Sequence, residues 1–154
     1  MFRFLVRHTS RRLHQAPRLA TMNKDEIGRL GEKIAATYLY VHGGKVLYRN
    51  YRAPAGGEID IVLRHGSVLA FVEVKTRTSD AFGRAAAAVD FNKQGLIKRG
   101  VNSWLKRLGY PDLPWRCDIV EVYLKPEQRP QVNWLQSAFT ITDLHERKSR
   151  RWTR

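Results

Sequence analysis

The sequence predicts a three-layer α/β domain built around a mixed central β-sheet, with the core order α-β-β-β-α-β. Three observations predict this class: an amphipathic helical repeat near the start, three strand-like runs after it, and a second helical repeat that precedes a further strand. The chain has 154 residues, of which 43% are hydrophobic, and four of its residues are tryptophans. That size and composition are typical of a single folded domain with its own core.

The first helix is predicted from its apolar repeat and from the residues at its two ends. Asn23, followed three residues later by Glu26, is typical of a helix start, and the two glycines after His42 are typical of a helix end. The run KVLYRNYR (45–52) then reads as a strand. Because the helix start at Asn23 follows Met22 directly, we expect the domain to begin at Met22. The apolar residues that recur at helical spacing are Ile27, Leu30, Ile34, Tyr38 and Val41.

The later elements are predicted by the same reasoning. Two strand-like runs come before the second helical repeat, which Gly-Tyr-Pro terminates. Residues 82–90 are interpreted as a loop leading into that helix. A fourth strand and a short final strand complete the domain. The predicted bounds of these elements are 58–64, 68–75, Phe91 to Leu108, 115–124 and Ala138 to Ile141.

The net charge of +14 is concentrated at the two ends of the chain. Residues 1–21 hold five arginines and no acid, and residues 146–154 hold five basic residues and one acid, which leaves +5 for the domain at 22–145. Basic tails are often simply solvated, which is one interpretation of this charge. A core that remains basic favours an anionic partner, most commonly nucleic acid.

The composition also excludes several classes of protein. No apolar run approaches the roughly 20 residues of a membrane-spanning helix, and the five histidines form no HExxH motif. The single cysteine, Cys117, excludes an internal disulfide framework and indicates a reducing, cytoplasmic setting. Residues 1–21 are interpreted as an extension outside the fold. Their arginine-rich, acid-free composition leaves a mitochondrial transit peptide as the minor alternative.

The stretch GEIDIVLRHGSVLAFVEVKTR, residues 57–77, carries charge within two strands that otherwise look buried. Because side chains alternate along a strand, Glu58 and Asp60 share one face of the first strand, and Glu73 and Lys75 share one face of the second. The opposite faces carry apolar residues, namely Ile59, Ile61, Leu63, Val72 and Val74.

The register of this hairpin decides which acids meet. A two-residue loop at 65–66 places Glu58 opposite Glu73, whereas a four-residue loop at 65–68 places Asp60 opposite Glu73. Both loops bring the carboxylates onto a common face.

Carboxylates clustered in this way repel one another. Two of them about 5 Å apart are destabilised by roughly 3 kcal/mol at an effective dielectric constant of 20. A hard divalent cation with oxygen ligands, usually Mg²⁺, removes that repulsion. The alternative is a solvent-facing hairpin whose acids point into water. The apolar residues around the acids favour the metal site.

The pattern of Asp60 followed by Glu73-Val74-Lys75 resembles the signature of the PD-(D/E)XK nuclease superfamily, which has the restriction-endonuclease-like fold. The ordered set LGEKIAATYL, NYRAPAGGEIDIV, FVEVKTR, FGRAAAAVDFNK and RCDIVEV is similar to the YraN family of bacterial proteins, which are described as uncharacterised or as candidate endonucleases. The resemblance extends from Lys24 to Ile141. It implies a relationship to the archaeal Holliday-junction resolvases.

The resemblance also implies roles for individual residues. Asp60 and Glu73 would bind Mg²⁺ or Mn²⁺, and Lys75 would orient water or stabilise charge on the phosphate. Glu32, on the first helix, matches the additional acid of the superfamily, although helical spacing alone favours a solvated glutamate at this position. Glu58 departs from the family's proline-rich approach to the aspartate. It is therefore either an auxiliary ligand or a supporting acid.

The implied activity is metal-dependent hydrolysis of phosphodiester bonds in DNA, with branched or junction DNA as candidate substrates. Arg52, Arg77 and Lys93 flank the predicted site as candidate phosphate contacts. A homodimer would suit an enzyme that cuts two strands. The alternative is a non-catalytic nucleic-acid-binding protein that retains the nuclease fold. Asp118 is predicted to form a structural ion pair with a nearby arginine.

Overall fold

The computed structural model describes residues 19–78 and 91–141, which form a mixed β-sheet with a helix on each face. The predicted tails and the predicted loop at 82–90 lie outside the described residues, apart from the short 3-10 turn Leu19–Thr21. The elements are α1 (Lys24–Val41), β1 (Gly44–Arg52), β2 (Glu58–His65), β3 (Val68–Arg77), α2 (Phe91–Arg107), β4 (Trp115–Tyr123) and β5 (Gln131–Phe139).

The sheet has five strands in the spatial order β1-β2-β3-β4-β5. All neighbouring strands are antiparallel except β3 and β4, which are parallel. A parallel pair needs a long crossover connection, and α2 lies within that connection. The prediction of a mixed α/β sheet is confirmed.

Two apolar clusters lie on opposite faces of the sheet and produce the three layers. Buried residues of α1 contribute to one cluster, and buried residues of α2 contribute to the other. On the α1 side they are Ala35 and Leu39, and on the α2 side they are Ile97, Val101 and Leu105. The thiol of Cys117 is buried on the α2 side, and burial raises its pKa to about 12, with a further contribution from the charge of Asp118.

Both ends of α1 confirm the sequence prediction. Asn23 Oδ1 accepts hydrogen bonds from the backbone N–H groups of Asp25 and Glu26, each at 3.0 Å. The Glu26 carboxylate in turn accepts one from the Asn23 N–H at 2.8 Å, which completes a capping box. At the other end Gly43 has φ +85°, a left-handed conformation that glycine adopts without steric penalty.

The final strand was predicted incorrectly. It spans Gln131–Phe139, whereas the sequence predicts a short strand from Ala138 to Ile141. β5 is an edge strand with one half-buried face, so Val132 and Trp134 alternate with polar residues and produce no continuous apolar run. A register irregularity against β4 and the positive φ of Ser137 (+52°) further interrupt the alternation.

Two glycines set the distance between β2 and α2. A Cβ on Gly57 would meet the backbone of α2, with the carbonyl carbon of Arg99 only 2.6 Å away. A Cβ on Gly100 would lie 3.0 Å from the backbone oxygen of Glu58 and 2.8 Å from Ile59 Cγ1. The backbones therefore approach closely at Gly57 and Gly100, and this contact holds the start of β2 against α2.

Substituting alanine for Gly100 is expected to destabilise the protein by about 1–3 kcal/mol, because the added methyl group must displace a strand backbone. Urea unfolding measures this change. Gly95→Ala is the matched control, since the nearest atom to its Cβ is the Arg99 guanidinium at 3.6 Å, which is an ordinary contact. Equal stability of the two variants would contradict the tight approach.

Candidate active site

The hairpin between β2 and β3 adopts one of the two predicted registers. His65 pairs with Val68, and the pairing continues to Ile61 opposite Val72, so the same register places Asp60 opposite Glu73. The loop is the two residues 66–67, which is shorter than the four-residue loop predicted for this register. Gly66 has φ +61°, as the first loop position of a type II′ turn requires.

The two strands separate just beyond this point, and Asp60 lies where they part. The β2–β3 pairing ends at Ile61, and Asp60 Oδ2 accepts a hydrogen bond of 2.7 Å from the backbone N–H of Val74. The Asp60 carboxylate thus takes the place of the strand carbonyl that would otherwise accept the hydrogen bond from this N–H group. Ile59 belongs to the α2-side cluster, whereas Ile61 and Leu63 belong to the α1-side cluster. The predicted common face for these three residues is therefore wrong, because β2 leaves β3 after Ile61.

A cleft of about 730 Å³ opens at this position, between α1, the ends of β1, β2 and β3, and the start of α2. It brings together seven of the eight residues predicted for the site, while Arg77 does not line it. The seven residues are Glu32, Arg52, Glu58, Asp60, Glu73, Lys75 and Lys93. The alternation of strand side chains and the position of α2 against β2 together account for this convergence.

Glu73 is the buried carboxylate of the cleft, with only 4% of its side chain exposed. Its Oε1 lies 3.1 Å from Lys75 Nζ, and its Oε2 lies 3.3 Å from Lys93 Nζ. Oε2 has no hydrogen-bond partner of suitable geometry among the described residues, although Lys93 is within ion-pair distance. An incompletely paired oxygen on a buried carboxylate is available to a further cation.

Lys93 lies among the acids of the cleft. Its Nζ donates a hydrogen bond of 2.6 Å to Glu58 Oε1, a short charge-assisted contact. Burial tends to lower the pKa of Lys93, but the bond to Glu58 and the charges of Glu73 and Asp60 outweigh it, so the net shift is upward. The bond to Lys93 also lowers the pKa of Glu58, against an opposing effect of burial.

The surroundings of Asp60 shift the pKa of its carboxyl group strongly upward. Burial and, next, the charge of Glu73 raise its pKa to about 7, while the hydrogen bond from Val74 and the charge of Lys93 oppose the rise. A proton or a further cation that neutralises the Asp60 carboxylate is therefore favoured at this position near neutral pH.

The carboxylates of the cleft can provide only part of the coordination shell of a small hard cation. Within residues 19–78 and 91–141, no group of three or more His, Cys, Asp or Glu side chains is arranged to hold a metal ion. Mg²⁺, however, is usually bound through one or two carboxylates, with water and substrate phosphate completing its octahedron. Asp60 and Glu73 meet that requirement. Lys93 pairs more closely with Glu58, at 2.6 Å, than with Glu73, at 3.3 Å.

Asn50 and Tyr51 are among the cleft-lining residues that sequence reasoning missed. Asn50 has φ +53° within β1, and asparagine is among the residues that tolerate this left-handed conformation best. An asparagine inside a strand-like run was the available signal. The Tyr51 hydroxyl is 2.8 Å from Ser103 Oγ on α2, so this tyrosine ties β1 to α2 beside the cleft.

Asp118 has the structural role that the sequence predicts. Arg116 Nε donates to both carboxylate oxygens of Asp118, at 2.9 and 3.0 Å. Trp134 Nε1 and the Ser137 backbone N–H each donate at 2.9 Å. Asp118 is therefore buried with its hydrogen-bonding capacity satisfied, and it does not line the cleft.

The fold and the cleft define a mixed α/β protein with a carboxylate–lysine cleft where two strands of its sheet separate. The chain belongs to the family described as "Uncharacterised protein family UPF0102", whose sequence model matches residues 31–122. This assignment confirms the resemblance to YraN-type proteins at the level of the family.

Curated relatives cover the same part of the chain. The chain is 42% identical over 120 residues to "UPF0102 protein TTE1452" of Caldanaerobacter subterraneus subsp. tengcongensis, covering 77% of this chain and 98% of that protein. It is 39% identical to a UPF0102 protein of Geobacter metallireducens, over 79% of this chain and 98% of the relative.

Among solved structures, the chain is similar to one described as "Crystal structure of SSO0001", with a TM-score of 0.31 and 14% identity. That similarity covers 75% of this chain and 52% of the other. A similarity at this level does not establish a shared fold. Neither helix in the described part of the chain is long and apolar enough to cross a membrane.

Proposed function

We propose that this protein is a metal-dependent endonuclease that hydrolyses phosphodiester bonds in DNA, with the cleft at Asp60 and Glu73 as its active site. The observation that carries the proposal is the pair of acids in the cleft: Glu73 is buried and in contact with Lys75, and burial and the charge of Glu73 raise the pKa of Asp60. Buried acids that repel each other are unfavourable unless a function retains them. The order of these residues along the chain supports a restriction-endonuclease-like arrangement.

Each side chain has a defined task in this proposal. Asp60 and Glu73 would hold Mg²⁺ or Mn²⁺, which supplies a hydroxide-like nucleophile and polarises the phosphate when bound. Lys75 directs its ammonium group into the same space and stabilises the negative charge that develops on the phosphate. Glu32, which lines the cleft from α1, is suited to accept a proton from the attacking water.

The basic residues around the cleft support DNA as the substrate. Arg52 lines the cleft and is exposed, and the domain at 22–145 carries a net charge of +5. Phosphate contacts of this kind position a nucleic acid without reading its sequence. A homodimer would allow both strands of a duplex to be cut.

The proposal is tested with the full-length chain and labelled linear, flapped and four-way-junction DNA. Cleavage is expected with Mg²⁺ or Mn²⁺ and is expected to stop in EDTA. DNA binding without cleavage under every metal condition would instead favour the second candidate, a non-catalytic binding protein that retains the fold. That candidate is motivated by the net charge of +14 alone.

Lys93→Met is expected to increase the affinity of the protein for Mn²⁺ several-fold. The Lys93 ammonium lies 2.6 Å from Glu58 and 3.3 Å from Glu73, so removing its charge leaves the acids less neutralised and removes a competing cation. Titration of free Mn²⁺ by electron paramagnetic resonance measures the change.

Lys106→Met is the matched control, because it removes the same charge from an exposed position on the same helix. An affinity that falls in Lys93→Met, or that changes equally in both variants, would contradict the placement of the metal beside Glu73.

A further inference from the structure

A half-exposed aromatic side chain lies on the edge strand β1, next to the cleft. Tyr48 is 50% exposed, and its ring centroid lies 5.8 Å from that of Tyr51 and 5.6 Å from that of Trp104. Tyr51 is itself buried and lines the cleft. Tyr48 therefore packs against the wall of the cleft on one side and is open to solvent on the other.

Irregularities in the β1 backbone accompany this placement. In a regular strand, residues three positions apart point to opposite faces, yet the rings of Tyr48 and Tyr51 are in contact. A register shift lies between Val46 and Tyr48, and Asn50 has φ +53°. Asparagine tolerates this conformation well, so Asn50 can reverse the alternation of side chains between Tyr48 and Tyr51. Because of this irregular backbone, the ring of Tyr48 lies against the ring of Tyr51, which lines the cleft.

The charge along β1 indicates what this surface binds. The strand has three exposed basic residues, Lys45, Arg49 and Arg52, and no acidic residue. A second copy of the chain paired through this edge would bring like charges together, which is unfavourable. A polyanion complements the same charges, and Arg52 also lines the cleft.

We propose that Tyr48 stacks on an unpaired base of single-stranded DNA that runs from the cleft along β1, with Arg49 and Arg52 contacting its phosphates. In a continuous duplex the faces of the bases are covered by their neighbours, so a single exposed ring can stack only on a splayed or single-stranded base. The inference rests on the proposed function and names its substrate class: frayed, flapped or branched DNA that carries an unpaired strand.

Binding measurements test this directly and do not depend on catalysis. Fluorescence anisotropy of the full-length chain in EDTA compares a short labelled single strand with the matching duplex. Tyr48→Ala is expected to weaken single-strand binding by about 5-fold or more and to leave duplex binding unchanged. Tyr48→Phe keeps the ring and is expected to bind like the wild type.

Tyr40→Ala is the matched control, since Tyr40 is a tyrosine that is 73% exposed near the end of α1, away from the residues lining the cleft. The proposal is overturned if Tyr48→Ala changes single-strand and duplex binding equally, or changes neither. It is also overturned if Tyr48→Ala disrupts a dimer seen by light scattering without affecting DNA binding, because the surface would then join two copies of the chain.

The binding result also separates this inference from the nuclease proposal. If the protein binds single strands through Tyr48 but never cleaves DNA, the proposed binding surface is supported and the nuclease proposal is rejected. If it cleaves DNA with metal but Tyr48→Ala binds single strands as the wild type does, the nuclease proposal is supported and the binding surface is rejected.

Discussion

Lys75→Met is expected to lower the rate of metal-dependent DNA cleavage by about 10²-fold or more. The Lys75 ammonium lies 3.1 Å from Glu73, in the cleft where the phosphate would be held. Its charge is most useful when the phosphate becomes more negative in the transition state, so its loss affects the chemical step more than binding. Single-turnover cleavage at saturating metal measures that step.

Lys106→Met again provides the control for loss of one positive charge at an exposed position. DNA affinity, measured by anisotropy in EDTA, is expected to be similar for both variants. If Lys75→Met cleaves at the rate of the control, Lys75 does not act on the reacting phosphate, and its contact with Glu73 is structural.

Asp60→Asn is expected to stabilise the metal-free protein at pH 8 by about 2–4 kcal/mol while preventing cleavage. In the folded protein, burial and the charge of Glu73 raise the Asp60 pKa to about 7, from an ordinary value of 3.8. The folded state therefore holds this proton more tightly than the unfolded state. Ionisation of Asp60 weakens the fold progressively as the pH rises from about 4 to 7, and the full penalty applies above pH 7. Asparagine removes that penalty and retains an oxygen that can accept the Val74 N–H.

Urea unfolding in EDTA between pH 5 and pH 8.5 measures this effect as the difference between the variant and the wild type. The advantage of Asp60→Asn is expected to grow from pH 5 to about pH 7 and then to level off. It is expected to shrink when Mg²⁺ is added, because the metal neutralises the wild-type carboxylates. Asp112→Asn, at an exposed position, is the control. A pH-independent difference, or destabilisation by Asp60→Asn at pH 8, would contradict the electrostatic description of the cleft.

Much of the candidate site follows from the two-residue period of a β-strand. The spacing of Asp60, Glu73 and Lys75 in sequence determines that an even-length loop places them on one face, and the structure has such a loop. The limits of α1 were also predictable, because Asn23 and Glu26 satisfy the backbone donors at its start within a few residues. In both cases, residues that are close together in the sequence were sufficient to predict the structure.

Features that depend on distant parts of the chain were not predictable in the same way. The sequence predicts Lys93 only as a candidate phosphate contact beside the site. Its contacts with Glu58 and Glu73 exist because α2 lies against β2. That approach depends on two glycines, Gly57 and Gly100, which are 43 positions apart. The departure of Ile59 from the face of Ile61 likewise arises where β2 leaves β3, which no local pattern indicates.

The two edge strands were also difficult to predict in full from the sequence. β5 lies at the border of the sheet and has one half-buried face, so its sequence lacks the apolar run that identifies a central strand. β1 was predicted as a strand, but its irregular backbone around Asn50 was not. Exposure relaxes the hydrophobic pattern on which strand prediction depends.

The most direct test of the central claim is single-turnover cleavage of a flapped DNA by the wild-type chain in Mg²⁺, beside the same protein in EDTA and the Glu73→Gln variant in Mg²⁺. The account predicts cutting by the wild type in Mg²⁺ alone, with Glu73→Gln inactive because it loses the buried carboxylate that contacts both lysines. Cleavage that persists in Glu73→Gln, or a wild type that binds the DNA and never cuts it, would contradict the assignment of this cleft as a metal-dependent nuclease site.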